Sequence, residues 1–262
     1  MILTYRNGLF YLRTTHREAD LLIASERISA INSGLARFIK ERALIQRFLE
    51  KHPEFVYSLE PMEVEEDAPP AIILSAESSK KAGVGPMASL PGALADLALE
   101  AMVNDGAEAA IVENGGEVSI KVNREVTVGV YTGRELNFGL VLNEYSRRIG
   151  ISTSSSSVSH ALSFGEAYAT VVVADNAALA DAVSTRVGNA VKSECRETLE
   201  DAVRLALSIE GVQGCVVYSG GLISFGGCVK PIALRSKSEE ILEEMMLKKP
   251  LIISLFAKAT NS

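Results

Sequence analysis

Ala109-Ala110-Ile111-Val112-Glu113-Asn114-Gly115-Gly116-Glu117-Val118-Ser119-Ile120-Lys121-Val122 is the stretch whose reading decides the fold class. Short runs rich in Ile and Val flank Asn114-Gly115-Gly116, and Asn-Gly between such runs is the strongest local signal for an antiparallel hairpin. Asn123-Arg124 supplies a second turn, so residues 126–131 read as a third strand continuing the same antiparallel sheet.

Upstream of the hairpin, residues 88–104 form an Ala/Leu-rich helical pattern closed by Asp105-Gly106, and residues 71–79 form another, with Gly83-Val84-Gly85-Pro86 interrupting between them. Residues 60–70 carry Glu63, Glu65, Glu66 and Asp67 among prolines and read as a connection between layers of one domain. Before that, Ile28, Ile31, Leu35, Phe38, Ile39, Ile45 and Leu49 recur at helical spacing over residues 25–51, and Pro53 stops the pattern. Residues 2–25 read as a three-strand meander, with a turn at Asn7-Gly8.

Downstream, a Ser-rich segment over 152–159 leads through His160 to Phe164-Gly165, and residues 169–174 read as a buried strand. Asp175 or Asn176 caps a helix reaching Val191, residues 197–209 form a further helix closed by Gly211, and Ser219-Gly220-Gly221 turns a last hairpin. Strands and helices come in blocks, which implies an α+β layer arrangement over a single domain spanning 1–262.

The 262 residues are 47% hydrophobic with 6% aromatics and no Trp, so the interior is built from Ala, Val, Leu and Ile. A net charge of -7 argues against a surface that tracks nucleic-acid phosphates, because such binding relies on clustered Lys and Arg. The apolar run at 250–257 is too short to span a bilayer, and the N-terminal residues, with Arg6, Arg13 and Arg17, lack a signal-peptide pattern. Cys195, Cys215 and Cys228 have no CxxC spacing and read as reduced, packed thiols of a cytoplasmic protein.

Four segments carry residue types suited to chemistry. Asn114-Gly115-Gly116-Glu117 lets a backbone approach a flat ring or a phosphate, although a plain hairpin turn accounts for the same residues. Residues 152–160 offer hydroxyls and a histidine to an oxygen-rich ligand, against the bland reading of a Ser-rich loop. Asp181 and Thr185, four apart on one helical face, form a hard-oxygen pair for Mg²⁺; the bland reading is a solvated Asp and a Thr bonded back to a carbonyl. Gly83-Val84-Gly85-Pro86-Met87-Ala88 resembles a glycine turn opening a helix, whose free amides can receive a phosphate. No GxSxG, Rossmann or P-loop motif occurs.

Together, residues 82–88, 112–118, 153–165 and 180–185 resemble a family of undefined activity related to ApbE, and more distantly ApbE itself, the FAD-dependent protein flavin transferases. That resemblance implies a tunnelling-fold-like α+β architecture of antiparallel sheets backed by helices. It implies FAD and Mg²⁺ as cofactors, Asp181 and Thr185 as metal ligands, and Asp181 and His160 as catalytic residues. Asn114, Gly115, Gly116, Glu117, Thr153, Ser154 and Ser155 then line the cofactor. An acceptor protein would offer a Ser or Thr hydroxyl, and related folds suggest a homo-oligomer. Two departures stand out: the loop reads His160-Ala161-Leu162-Ser163-Phe164-Gly165, without the transferases' acidic residue and proline, and the Lys-Gly start of their helix is replaced by residues 83–88. A binding module that has lost transfer, or a structural oligomer, are the other readings.

Overall fold

A computed structural model describes residues 1–17, 19–123, 126–130, 138–142, 145–154, 167, 169–233 and 251–254. The chain opens with the meander β1 (Ile2–Arg6), β2 (Leu9–His16) and β3 (Ala19–Ser25), its first turn formed by Asn7 and Gly8 in left-handed conformations. Helix α1 (Ile28–Lys51) buries Ile31, Phe38 and Ile45 along one stripe, as its spacing dictates, and the short α2 (Glu54–Tyr57) follows Pro53.

Helix α3 (Pro70–Ala82) begins with proline in its first turn, where no donor is lost, and ends at Gly83, whose φ of 68° lets its N–H turn back to Ser79 and Lys80 carbonyls. A 3-10 turn (Pro86–Ser89) leads into α4 (Leu90–Asn104). The strands β4 (Ala110–Asn114), β5 (Glu117–Val122), β6 (Val126–Val130), β7 (Phe138–Leu142), β8 (Tyr145–Ser154) and β9 (Ala169–Ala174) come next. Helices α5 (Ala177–Ala190) and α6 (Arg196–Leu207) precede β10 (Val212–Ser219), β11 (Leu222–Gly227), β12 (Pro231–Ala233) and β13 (Leu251–Ser254).

Nine strands form one antiparallel sheet in the order β1-β2-β3-β4-β5-β8-β9-β10-β11, and four form a second, β12-β7-β6-β13. Alternation along each central strand sends side chains to two cores. On β9, Val171 and Val173 join Ile120, Ile151, Val128, Phe138 and Leu140 between the two sheets, whereas Val172 and Ala174 face α5 and α6 with Val183 and Leu199. A third cluster packs α1, α3 and α4 on β3 and β4 through Phe38, Ile72, Leu94, Met102, Ile23 and Val112. The layers are therefore small sheet, large sheet and helices. Burial on both faces explains why these strands read as continuous apolar runs.

Three expectations need correction. Residues 126–130 do not fold back on β5; they pair with β7 and β13 in the second sheet, and β5 takes β8 as its neighbour. There Val128 and Val130 cover the apolar face that Ile120 and Ile149 present, a face that a simple hairpin would leave bare. Ser152, Thr153 and Ser154 are not loop residues but the end of β8, paired with β5 and β9. Only Cys215 is packed; Cys195, at the N-cap of α6, and Cys228, just past β11, are exposed. Among the described residues no single helix is long and apolar enough to cross a membrane; α3 and the following helical run to Asn104 pass such a test only as a pair bent by 102°.

Candidate functional site

The β4–β5 hairpin sets the first wall of the site. Gly115 and Gly116 take φ values of 75° and 136°, which side-chain-bearing residues rarely adopt. The Gly115 N–H donates to the Asp20 carbonyl of β3 at 3.1 Å, and the Asn114 amide donates to the Pro91 carbonyl at the start of α4 at 2.9 Å. The turn is thereby fixed against both the sheet and the helix layer. Glu117, the next residue, curls back so that its Oε2 lies 3.7 Å from where a Gly115 Cβ would stand.

Helix α5 brings the second carboxylate. Asp181 is buried, and its Oδ2 accepts the Gly92 N–H, one of the free amides in the first turn of α4, at 3.0 Å. Ser184 donates to the Asp181 carbonyl at 3.0 Å, and its hydroxyl meets that of Ser152 on β8 at 2.9 Å. The strand register places Ser152 directly opposite Glu117. Beneath them Asp96 of α4 accepts the Ala177 and Ala178 N–H groups at 3.0 and 2.9 Å and the Ser119 hydroxyl at 2.6 Å, with Arg148 Nε 3.8 Å away.

Acids set close together and shielded from water resist ionising; here Asp96, Glu113 and Asp181 are buried, and Glu117 keeps partial exposure. Burial pushes Glu117 up to about 8; the charge of Glu113 adds to this, and hydrogen bonds from its own backbone N–H and from Ser152 oppose it. Asp181 is raised well above the ordinary carboxylate range by burial and then by the charge of Glu117, against the Gly92 hydrogen bond. Burial raises Asp96 too, opposed by Arg148, Ser119 and the two helix amides. Glu117 and Asp181 thus compete for a proton, and a pair of this kind is equally suited to a cation.

A pocket of about 680 Å³ is lined by Gly83, Val84, Met87, Ala88, Leu59 and Leu205, with Thr185, Arg186 and Asn189 of α5 at its polar edge. Gly85 has no room for a side chain, since a Cβ there would stand 1.9 Å from the Ser58 carbonyl oxygen. The Ser58-Leu59 segment therefore seats directly on this turn and completes the pocket wall.

The family model described as "AbpE bacteria" matches residues 3–206. The chain belongs to this ApbE-related family. Its relatives include a UPF0280 protein of Methanosarcina acetivorans, 34% identical over 218 residues and covering 82% of this chain and 86% of that one. Another, from Methanocaldococcus jannaschii, is 31% identical over 234 residues, covering 87% and 95%. Among solved structures, the flavinyl transferase ApbE of Pseudomonas stutzeri superposes with a TM-score of 0.51 at 11% identity, covering 84% of this chain and 94% of that one. The flavin transferase ApbE of Vibrio cholerae gives 0.50 at 11%, covering 84% and 96%. At these identities the likeness is one of fold, and it agrees with the α+β architecture of antiparallel sheets backed by helices.

Within this ApbE-related chain, the structure brings some of the residues singled out from the sequence together and separates others. Asn114, Gly115, Gly116 and Glu117 form the turn, and Asp181 reaches toward it from α5. Thr185, one helical turn on, lines the pocket. Alternation on β8 puts Ser154 on the face of Ser152, toward α5, where it opposes Thr170 of β9, and sends Thr153 to the other face; Thr153 and Thr170 hydroxyls are buried without a hydrogen-bond partner. Ser155 and His160 lie outside the described residues. The solvated reading of Asp181 fails, because its carboxylate is buried against a helix end. Sequence reasoning passed over Asp96, Glu113, Arg148 and Ser184. The available signal was Asp96 itself, a lone acid inside the apolar run Gly92-Ala93-Leu94-Ala95-Asp96-Leu97-Ala98-Leu99.

Proposed function

We propose that this protein binds a flavin- or nucleotide-type diphosphate together with Mg²⁺ at the junction of the β4–β5 hairpin, α4 and α5. The observation that carries this reading is the placement of Asp181 and Thr185 one turn apart on α5: Asp181 is buried with the charge of Glu117 acting on it, and Thr185 edges the pocket with Arg186. A volume of about 680 Å³ suits a small-molecule ligand, and its apolar lining suits a ring system.

The residues present fit the metal. Carboxylate and hydroxyl oxygens are hard donors, and among the described residues no set of three or more His, Cys, Asp or Glu side chains forms a closed chelate. Mg²⁺ is commonly held in that open way, by one or two carboxylates with water and phosphate oxygens completing the shell. Asp181 and Thr185, with Glu117 across from them, are the residues that would hold it. Bound there, the ion would neutralise diphosphate charge. Gly115 and Gly116 leave backbone free to approach the ligand, and Arg186 supplies a positive charge at the pocket edge.

The family resemblance extends the reading to FAD and to transfer onto a Ser or Thr hydroxyl of an acceptor protein. In that step the acceptor oxygen forms one P–O bond as the diphosphate P–O bond breaks, AMP leaves, and the hydroxyl proton passes to a nearby base. Asp181 and His160 are the candidates for that base. Titration of the purified protein with FAD, with Mg²⁺ and with EDTA, tests the binding. Tight binding that needs Mg²⁺, is displaced by ADP and is lost in Asp181→Ala is the expected result. Absence of binding in every condition sinks the flavin reading.

A further inference from the structure

Asp96 is fully buried, and both of its carboxylate oxygens are used. Oδ1 accepts the Ala177 N–H and the Ser119 hydroxyl, Oδ2 accepts the Ala178 N–H, and Arg148 Nε stands 3.8 Å from Oδ1. Each partner lies on the same element as a residue of the carboxylate site, one or two structural repeats away. Ser119 is two residues after Glu117 on β5, hence on the same face of the strand. Ala177 is four residues before Asp181 on α5, one helical turn below it. Arg148 is four residues before Ser152 on β8, again on the same face.

The bond is returned from the other helix. Gly92, four residues before Asp96 on α4, donates its N–H to Asp181. The two helices leave no slack at this crossing, because a Cβ on Gly92 would stand 2.3 Å from the Ala177 carbonyl oxygen and one on Gly150 of β8 would stand 2.0 Å from the Asn176 carbonyl carbon. Helix α5 already has a local cap, the Asn176 side chain accepting the Leu179 N–H at 2.8 Å. The extra carboxylate from α4 is thus not needed simply to start the helix.

We infer that Asp96 is a positioning residue: through its bonds to α5, β5 and β8 it sets Asp181 and Ser152 against Glu117, and so holds the cation-binding geometry while itself touching no ligand. This rests on the reading given under Proposed function for its consequence in binding, but not for the geometry. Buried carboxylates that orient ligand-bearing groups are known to be worth about 10–100-fold in metal affinity.

Two variants separate positioning from general support of α5. Asp96→Asn replaces one acceptor oxygen by a donor and must oppose a donor on α5 or β5 whichever way the amide lies. Asn176→Ala removes the helix's own cap and leaves the Asp96 bonds in place. FAD affinity is measured for each in Mg²⁺ and in EDTA, with melting temperatures alongside, and both ligand-free variants are crystallised. For Asp96→Asn the expected result is at least about tenfold weaker binding in Mg²⁺ with the EDTA value unchanged. Asn176→Ala is expected to melt lower and keep the wild-type affinities. Wild-type affinity in Asp96→Asn, or the same loss in both variants, overturns the inference. If the wild-type protein shows no metal-dependent FAD binding, the flavin reading fails by itself and the crystals decide the positioning. Displacement of Asp181 from Glu117 by about 1 Å in Asp96→Asn alone upholds it, and an unmoved pair overturns it.

Discussion

Ser152 on β8 and Ser184 on α5 join their hydroxyls at 2.9 Å in the interior, and each also serves a carboxyl-bearing residue: Ser152 bonds Glu117, and Ser184 donates to the Asp181 carbonyl. The sheet and the helix are therefore tied at the point where the two acids meet. Replacing Ser184 by Val removes one of the two side-chain partners of the buried Ser152 hydroxyl and leaves it Glu117, and a loss of about 1 kcal/mol of stability is expected. Chemical denaturation measures it, and a double-mutant cycle with Ser152→Ala should show that the two losses do not add.

Glu117 makes stability depend on pH in a defined direction. Its carboxyl in the folded protein is raised to about 8, above the ordinary value it regains on unfolding, so between those values the folded state binds more protons. The stabilisation from the protonated form is complete below the unfolded pKa and is lost as pH rises through about 8. Melting temperatures of the ligand-free protein should fall over the alkaline part of this window. Glu117→Gln, which stays neutral, should flatten the decline; an unchanged slope would show that Glu117 is not the group responsible.

Gly85→Ala tests the pocket wall. The glycine has an ordinary φ of -67°, so backbone strain is not the issue; the added methyl would meet the Ser58 carbonyl at 1.9 Å. Overpacking against backbone costs about 1–3 kcal/mol, and the Ser58-Leu59 segment must lift away. A lower melting temperature together with weaker ligand binding is expected, whereas Gly83→Ala, with open space around it but a φ of 68°, should lose stability through backbone strain and keep the wall in place.

The cysteines should separate by reactivity. Cys195 is exposed, and hydrogen bonds from Ser193 and Thr198 lower its thiol pKa, while burial pushes Cys215 up to about 12. Mass spectrometry after limiting iodoacetamide at neutral pH should find Cys195 modified well before Cys215, and Cys215 modified only in denaturant. Early labelling of Cys215 would contradict its packing on β10.

Much of the fold was legible because its signals are local. The β1–β3 meander, the stripe of α1, the Gly83 stop of α3 and the Asn114-Gly115-Gly116 turn all follow from spacing or from the conformations glycine permits. The sheet assignment of β6 was not legible, since Val126, Val128 and Val130 alternate equally well beside β5 or in a covering layer. The site was half readable. Asp181, Glu117 and the glycine turn carry motif-like character, but the burial of Asp181 depends on an amide 89 positions away, and Asp96 finds its helix partners 81 and 82 positions away. No window of sequence contains both ends of such a bond. For Asp96, helical spacing shows only that an acid lies on an apolar surface.

The exchange of carboxylates between α4 and α5 has a bearing on how the chain reaches its final form. Each helix lends an acid to the first turn of the other, so neither start is finished until both are docked, and the segment between them includes six strands of the two sheets. Contacts of such long sequence separation form late, after the cost of closing the loop has been met. The acidic junction is then among the last parts of the molecule to be assembled, and a chain with either sheet misregistered would never bring Glu117 and Asp181 together. Competence to bind would thus double as a check that the entire scaffold has folded correctly.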